Sequence, residues 1–485
     1  MDYYIGIDIG TTSTKAVAFS ETGTVLAQKS ISYPIIHTQE NQSEQDPEKI
    51  LEAVVDCLNH IAVTLPQHHP ILVSFSAAMH SLILMDEKDN PLTNCIIWAD
   101  NRASELAINL RETEQGKGFY SNTGVPIHAM SPLCKLLWYK ENKTEFFNKA
   151  AKFIGLKEFI FHRLFGKYIV DTSIASATGL LNIHLLQWED DILSYTGIEK
   201  KQLSTIVPTT HIEYLQARED TNLTARLHAF NKTAFVIGSS DGALANIGNG
   251  ATGKGSMAIT IGTSAAVRII TDKAAIDKQM RTFCYHCTGE WYIIGGASNS
   301  GAIVLQWLKE NIVQNTGSYK EFMAMAEKIA PGSDELLLLP FILGERAPIW
   351  NSNARGVYWG LDINHTTAHL VRAAMEAVIY NIYSIGKTLL EKNTVDTIYA
   401  NGGFSDTFFW VQMLADMFNL PVIVPVVEEC SALGAVMIGM DAMKISNSFY
   451  FAKGKIYQPY LAHHKIYLES CNKMERLYEL MKAEF

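Results

Sequence analysis

Apolar and polar residues alternate from the start of the chain. In YYIGIDIG, Ile5, Ile7 and Ile9 stand at every second position, the period of a strand. A Gly-Thr-Thr turn follows, then TKAVAFS, the turn Glu21-Thr22-Gly23 and TVLAQKSI. This pattern predicts a three-stranded meander whose first hairpin is rich in Gly and hydroxyls. At Asp46-Pro47-Glu48 the period changes. Asp46 suits an N-cap, Pro47 suits the first turn, and Ile50, Val54, Leu58 and Ile61 recur on one helical face. ILVSFSAA and CIIWAD then predict short buried strands. Strands alternating with helices indicate an α/β class.

The opening pattern returns after position 255. GSMAITIGTSAAVRII predicts a strand, a Gly-Thr-Ser turn and a second strand. TIYANGGFSDTFFWVQMLADMFNLPVIV predicts strand, Gly-Gly turn, amphipathic helix and strand. Residues 366–390 predict a long helix with Leu370, Ala374, Ala377 and Val378 on one face. Two halves that begin with the same unit suggest two related domains facing a cleft, 1–245 and 246–485. Their junction is expected in NIGNGATGKG, which is rich in Gly and polar residues.

Composition narrows the function. The 485 residues are 48% hydrophobic and 19% charged, which suits large buried cores and excludes a disordered or fibrous chain. Lys and Arg number 40 against 50 acidic residues, a net charge of −10, and no basic block stands out. A nucleic-acid partner is therefore not expected. No uninterrupted apolar run approaches the roughly 18 residues of a membrane span. MDYYIGIDIG has acidic residues where a secretory leader carries basic ones. Seven scattered cysteines suit reduced thiols, so a cytoplasmic location is expected.

The candidate chemistry lies at the turns. Asp8-Ile9-Gly10-Thr11-Thr12-Ser13-Thr14-Lys15 offers N–H and O–H donors to phosphate oxygens, and Asp8 can hold Mg²⁺. One such hairpin is equally an ordinary turn. Ile261-Gly262-Thr263-Ser264 repeats it in the second half, and two suggest a clamp on a nucleotide's phosphates. Gly402-Gly403, between a strand and a helix, allows close backbone approach to a ligand. Asp241 follows the strand AFVIG, where α/β sheets place their chemistry. It suits a base that takes a hydroxyl proton, or the N-cap of the helix ALANIG. Gly248-x-Gly250-x-x-Gly253 follows a predicted helix rather than a strand, which argues against a dinucleotide site. Cys284 and Cys287 form a lone CxxC, and the pairs His68-His69 and His463-His464 are expected at the surface.

These motifs, in this order, resemble the FGGY carbohydrate kinases over nearly the whole chain. DIGTTSTK looks like the family's first phosphate motif. MSPLCKLLWYKEN at 130–142 is close to one family signature, with Tyr139 where a smaller aliphatic or Phe is more usual. GGFSDTFFWVQMLADMFNLPV at 402–422 is close to the second, and EECSALGAVMIG at 428–439 to the segment that follows it.

The resemblance implies two actin-like, ribonuclease H-like domains around a cleft. It further implies ATP with Mg²⁺ and transfer of the γ-phosphoryl group to a primary hydroxyl of a sugar or polyol. On it, Asp8 and Asp241 are metal-associated and Asp241 is the base. Thr11, Thr12, Ser13, Lys15, Thr263, Gly301, Gly402, Gly403 and Thr407 belong to the nucleotide side. Met79, His80, Trp98, Asp100 and Arg102 belong with Asp241 to the acceptor side. SFSAAMHSLI, IIWADNR and LGERAPIWNSNARG look more like the family's gluconate-phosphorylating branch than its xylulose branch. D-Gluconate is thus the expected acceptor, with D-xylulose or another polyol as the alternative. His80, Arg102 and Lys135, in that order, are the expected partners of its carboxylate. A chaperone-like ATPase of the same superfold lacks that acceptor constellation, and a dead-site binding module would not need an intact Asp8, Thr11, Thr263 and Asp241. The partners implied are small molecules, without nucleic acid or membrane; a homodimer is left open.

Overall fold

The computed structural model describes residues 2–39, 41–215, 226–427, 429–446, 449 and 454–485. The predicted meander forms as strands Asp2–Ile9, Ser13–Phe19 and Val25–Ser32, each antiparallel to the next. His69–Ala77 and Ala234–Ser240 add parallel strands on the other side of Asp2–Ile9, and Ile212–Glu213 pairs at the far edge. The second sheet repeats this order. Ser256–Ile261 and Ala265–Thr271 make the hairpin, and Trp291–Ser298 pairs next to it, ahead of Phe283–Thr288 in space. Thr397–Asn401 and Val422–Val424 continue parallel to Ser256–Ile261 on its other side, with Lys455–Tyr457 at the edge. Two sheets of the same five-strand order account for the repeated sequence pattern.

Asp46 caps the helix Pro47–Thr64 as predicted, accepting from the amides of Glu48 and Lys49. Its buried face, including Ile50, Val54, Leu58 and Ile61, packs on the first sheet. Two details differ from the sequence pattern. CIIWAD forms a strand at Cys95–Ile96 alone, because the chain then turns so that Asp100 can accept from the amides of Ser43 and Arg102. The helix Thr367–Leu390 is buried along both faces from Val371 to Leu389, with the second sheet on one side and the helix Leu461–Met481 on the other. A one-sided apolar stripe understates such an element, since a helix apolar all round belongs inside a core.

The helix Cys430–Ala442 leaves the second half and lies against the first sheet and the helix Asp241–Gly248. The two helices cross almost backbone to backbone. A Cβ on Gly434 would stand 2.1 Å from the Leu244 carbonyl oxygen, and one on Gly248 1.9 Å from that of Cys430. Glycine alone permits this crossing, which sets the floor of the cleft. His463 and His464 are half-buried rather than exposed. They bond Asp416 and the carbonyls of Asp416 and Met417 at the end of the helix Phe408–Phe418. Among the described residues no helix is long and apolar enough to cross a membrane.

Candidate active site

The first hairpin is held from behind. The Gly10 amide donates to the Ser13 carbonyl at 3.0 Å, and the Tyr33 hydroxyl donates to the Gly10 carbonyl at 2.7 Å. Trp98 Nε1 donates to Thr11 Oγ1 at 2.8 Å. Thr12 remains exposed at the tip. Asp8 stands at the end of its strand, accepting from Ser76 Oγ at 2.7 Å. Burial pushes its carboxyl up to about 6; the Ser76 bond opposes this, and the charges of Asp241 and Glu429 add to it. Lys15 sits opposite Asp8 in the hairpin register and reaches Glu429 Oε1 at 2.8 Å.

The second hairpin closes by the Gly262 amide donating to the Ser264 carbonyl at 2.9 Å. Gly301 lies directly behind it, and the next two amides, of Ala302 and Ile303, donate to the Gly262 and Thr263 carbonyls at 2.8 and 3.2 Å. Thr263 is left exposed at the tip. Gly402 has φ +99°, and a Cβ there would lie 2.4 Å from the Ile261 carbonyl oxygen. The glycine requirement read from the sequence is therefore both conformational and steric. Gly402 and Gly403, with Asp8, Ala245, Asn401 and Glu429, line a cavity of about 790 Å³. Thr407 stands outside that wall, at the N-cap of Phe408–Phe418.

A second cavity of about 260 Å³ adjoins the first, and Thr260 lines both. Its wall includes Met79, His80, Trp98 and Asp241 from the first half and Arg268 and Arg346 from the second. Asp241 opens the helix that follows its strand; Ser240 occupies the N-cap position, and Asp241 Oδ1 accepts from the Gly242 amide at 2.6 Å. One turn on, Ala245 faces the larger cavity, so this helix spans the two. Burial raises the Asp241 carboxyl, with the Arg268 charge the largest opposing influence. His80 Nδ1 lies 2.8 Å from the Ala177 carbonyl, and burial lowers its imidazole to about 3, which keeps the ring neutral.

Three residues expected on the acceptor side stand elsewhere. Arg102 is committed to Asp100 and Glu44, donates to Tyr139, and lies over Trp138. Asp100 is fully buried in that network, and neither residue lines the cavity. Lys135 is also fully buried. Its ammonium donates to the carbonyls of His80 and Ile97 at 2.6 and 2.8 Å, bracing the two segments that carry His80 and Trp98. The sequence shows a cation but not its partner, and carbonyl partners have no sequence signature.

Three charged residues escaped the sequence reading. Arg268 and Arg346 line the smaller cavity, and Lys157 stands behind Asp241, donating to Asp171 and to the carbonyls of Ile237 and Ser239. A single Arg within the apolar strand AAVRIIT, shortly after the Gly-Thr-Ser turn, was the available signal for Arg268. Among the described residues no group of three or more His, Cys, Asp or Glu side chains could by itself hold a metal ion.

Sequence comparison gives this geometry a family. The model of the FGGY family of carbohydrate kinases matches twice, its N-terminal domain over residues 3–248 and its C-terminal domain over 257–443. The chain belongs to this family. FGGY kinases are phosphotransferases that use ATP and an alcohol acceptor, and the two cavities meeting at Thr260 suit a two-substrate reaction. A gluconokinase of Bacillus subtilis is 43% identical over 92% of this chain and 89% of its own length. The crystal structure of a gluconate kinase from Lactobacillus acidophilus superposes with TM-score 0.94 at 33% identity, covering 99% of this chain and 98% of that one. A ligand-bound structure titled xylulose kinase, from the same organism, gives the same score and identity over 100% of this chain and 99% of that one. The two-domain actin-like fold expected from the motifs is thus the fold of this chain.

Proposed function

We propose that this kinase transfers the γ-phosphoryl group of ATP to the primary hydroxyl of D-gluconate, giving 6-phospho-D-gluconate and ADP. The observation that carries the choice of acceptor is the 43% identity to a gluconokinase across nearly the full length. D-Xylulose is the second reading, favoured by the equal superposition on a structure titled xylulose kinase. The test is the ratio of kcat/KM values for the two sugars in a coupled ADP-release assay. D-Gluconate is expected to exceed D-xylulose, and an equal or higher value for D-xylulose would overturn the choice.

In this reading the larger cavity takes ATP. The hairpins at Thr11, Thr12 and Ser13 and at Thr263 hold the phosphates, with Lys15 beside them. Gly301, behind the second hairpin, and Gly402 and Gly403 form the nucleotide side. Phosphoryl transfer depends mainly on positioning and charge neutralisation. Asp241 faces the acceptor hydroxyl, orients it and takes its proton as the new O–P bond forms. Its raised carboxyl makes it a stronger proton acceptor than an exposed aspartate. Met79, His80 and Trp98 shape the acceptor pocket, and Asp100 and Arg102 support it from behind.

Mg²⁺ is assigned to Asp8, with Asp241 as the second carboxylate. The donor chemistry fits, because Asp8, Asp241 and Glu429 bring carboxylate charge into one cleft. A site with few protein ligands suits Mg²⁺, which keeps waters and phosphate oxygens around it. Bound there, the ion neutralises phosphate charge. We also take 1–245 and 246–485 as the two domains and the cytoplasm as the location; seven cysteines without a disulfide support the latter.

Gly402→Ala is expected to weaken ATP binding by roughly 5- to 150-fold, the equivalent of about 1–3 kcal/mol of backbone strain. Titration calorimetry with ATP checks it, and unchanged affinity would remove Gly402 from the nucleotide site.

A further inference from the structure

We propose that Arg268, supported by Arg346, is the subsite that takes the carboxylate of a sugar-acid acceptor; this rests on the gluconate reading above. Arg268 is the fourth residue of the strand Ala265–Thr271. Strand alternation puts it on the same face as Ala266, and both line the smaller cavity. Its guanidinium packs over Gly242, beside Asp241: a Cβ on Gly242 would stand 3.0 Å from Arg268 Nε.

What distinguishes Arg268 is that its guanidinium lacks a fixed partner. Among the described residues no ion pair or hydrogen bond engages it, and its Nε is buried without an acceptor. Every other arginine of the acceptor region is committed, as Arg102 is to Asp100 and Glu44, or partly committed, as Arg346 is. Arg346 Nη2 donates to the Ser298 carbonyl at 3.0 Å and its guanidinium lies 4.8 Å from the Trp98 ring centre, but its Nε is also buried without an acceptor. The neighbouring Glu345 cannot supply that acceptor. Its carboxylate already receives Ser298, Ser300, Asn381 and the amides of Asn299 and Arg346.

The cavity wall therefore carries two guanidiniums and one carboxylate, Asp241. Asp241 is held by the Gly242 amide. His80 adds a polar ring without charge. Recessed cations without partners are costly, and an anionic ligand removes that cost while making charge-assisted bonds to a planar fork. An acyclic sugar acid places its carboxylate at one end and its primary hydroxyl at the other. With the hydroxyl at Asp241, the carboxylate must meet a cation on the same small wall, and Arg268, near Asp241 but bonded to no side chain among the described residues, is free to do so. A neutral ketose would leave the Asp241 carboxylate alone on that wall against two guanidiniums.

The test compares the full-length enzyme with Arg268→Gln and Arg268→Lys. The acceptors are D-gluconate and D-gluconamide, its neutral amide. The expected result for Arg268→Gln is a fall of about 10- to 150-fold in the gluconate-to-gluconamide ratio of kcat/KM, carried mainly by the gluconate KM. Arg268→Lys keeps the charge without the fork and should lose part of the ratio, which keeps the proposal testable should the Gln variant not fold. An equal fall on both acceptors would overturn the assignment, because a structural role or a role at the transferring phosphoryl group acts on both. An unchanged ratio would overturn it too. Failure of the gluconate reading is seen separately, in the wild-type enzyme alone, as turnover of D-xylulose equal to or above that of D-gluconate.

Discussion

Asp241→Asn is expected to lower kcat by on the order of 10²–10⁴ while leaving ATP affinity nearly unchanged. The substitution keeps the side chain's size and its bond from the Gly242 amide but removes the basic oxygen. Asp241 lines the smaller cavity rather than the larger one, and Asp8 remains as the metal's other carboxylate, so ATP should bind nearly as before. Loss of the negative charge also leaves Arg268 less compensated, since Asp241 is the charge that most favours its protonated form. That secondary effect acts on acceptor binding, and the KM for the sugar separates it from the loss in kcat. Steady-state kinetics with ATP calorimetry checks the whole expectation. A kcat within a few-fold of the parent enzyme would show that the proton leaves by another route.

The parts of this molecule legible in its sequence are those that repeat or that need a special residue. The meander at residues 2–32 was legible because Ile5, Ile7 and Ile9 are buried on one side of a sheet. Gly402 was legible because its φ and its approach to Ile261 admit no side chain. Asp46 was legible because an N-cap acts within three residues. The lining of the smaller cavity was legible only in part. Met79, His80 and Trp98 line it, yet the cations expected for a carboxylate went elsewhere. Arg102 found Glu44, 58 positions away in sequence, and Lys135 found the His80 carbonyl, 55 positions away. Arg268 and Arg346 reach the pocket from the other half of the chain, so no local pattern joins them to Asp241. Which charges meet is a property of the folded pairing of the two halves, and a single sequence does not encode it as spacing.

The second large effect is expected at Lys157, in stability as well as rate. Its ammonium is almost fully buried and lies 2.7 Å from the fully buried Asp171 carboxylate. It also donates to the Ile237 and Ser239 carbonyls at 3.1 and 2.9 Å. The strand Ala234–Ser240 shifts register between Val236 and Ser239, so part of its ladder is interrupted just before Asp241. Lys157 supplies bonds at that interruption and so positions Asp241 without touching the smaller cavity. Lys157→Met keeps most of the side-chain volume but leaves Asp171 charged and buried, with the amides of Ser173 and Ile174 as its remaining donors. Breaking a buried pair from one side costs about 3–5 kcal/mol. For a domain of this size that lowers the unfolding midpoint by roughly 6–20 °C. The rate should fall as well, because the end of the strand carrying Asp241 loses its anchor. Removing the second charge relieves the larger part of the cost, so Lys157→Met with Asp171→Leu should melt above the single variant while remaining slow. Calorimetric melting and steady-state kinetics on both variants separate the two effects. A single variant that melts with the parent, or a double variant that melts below the single one, would show that the buried pair does not brace this strand.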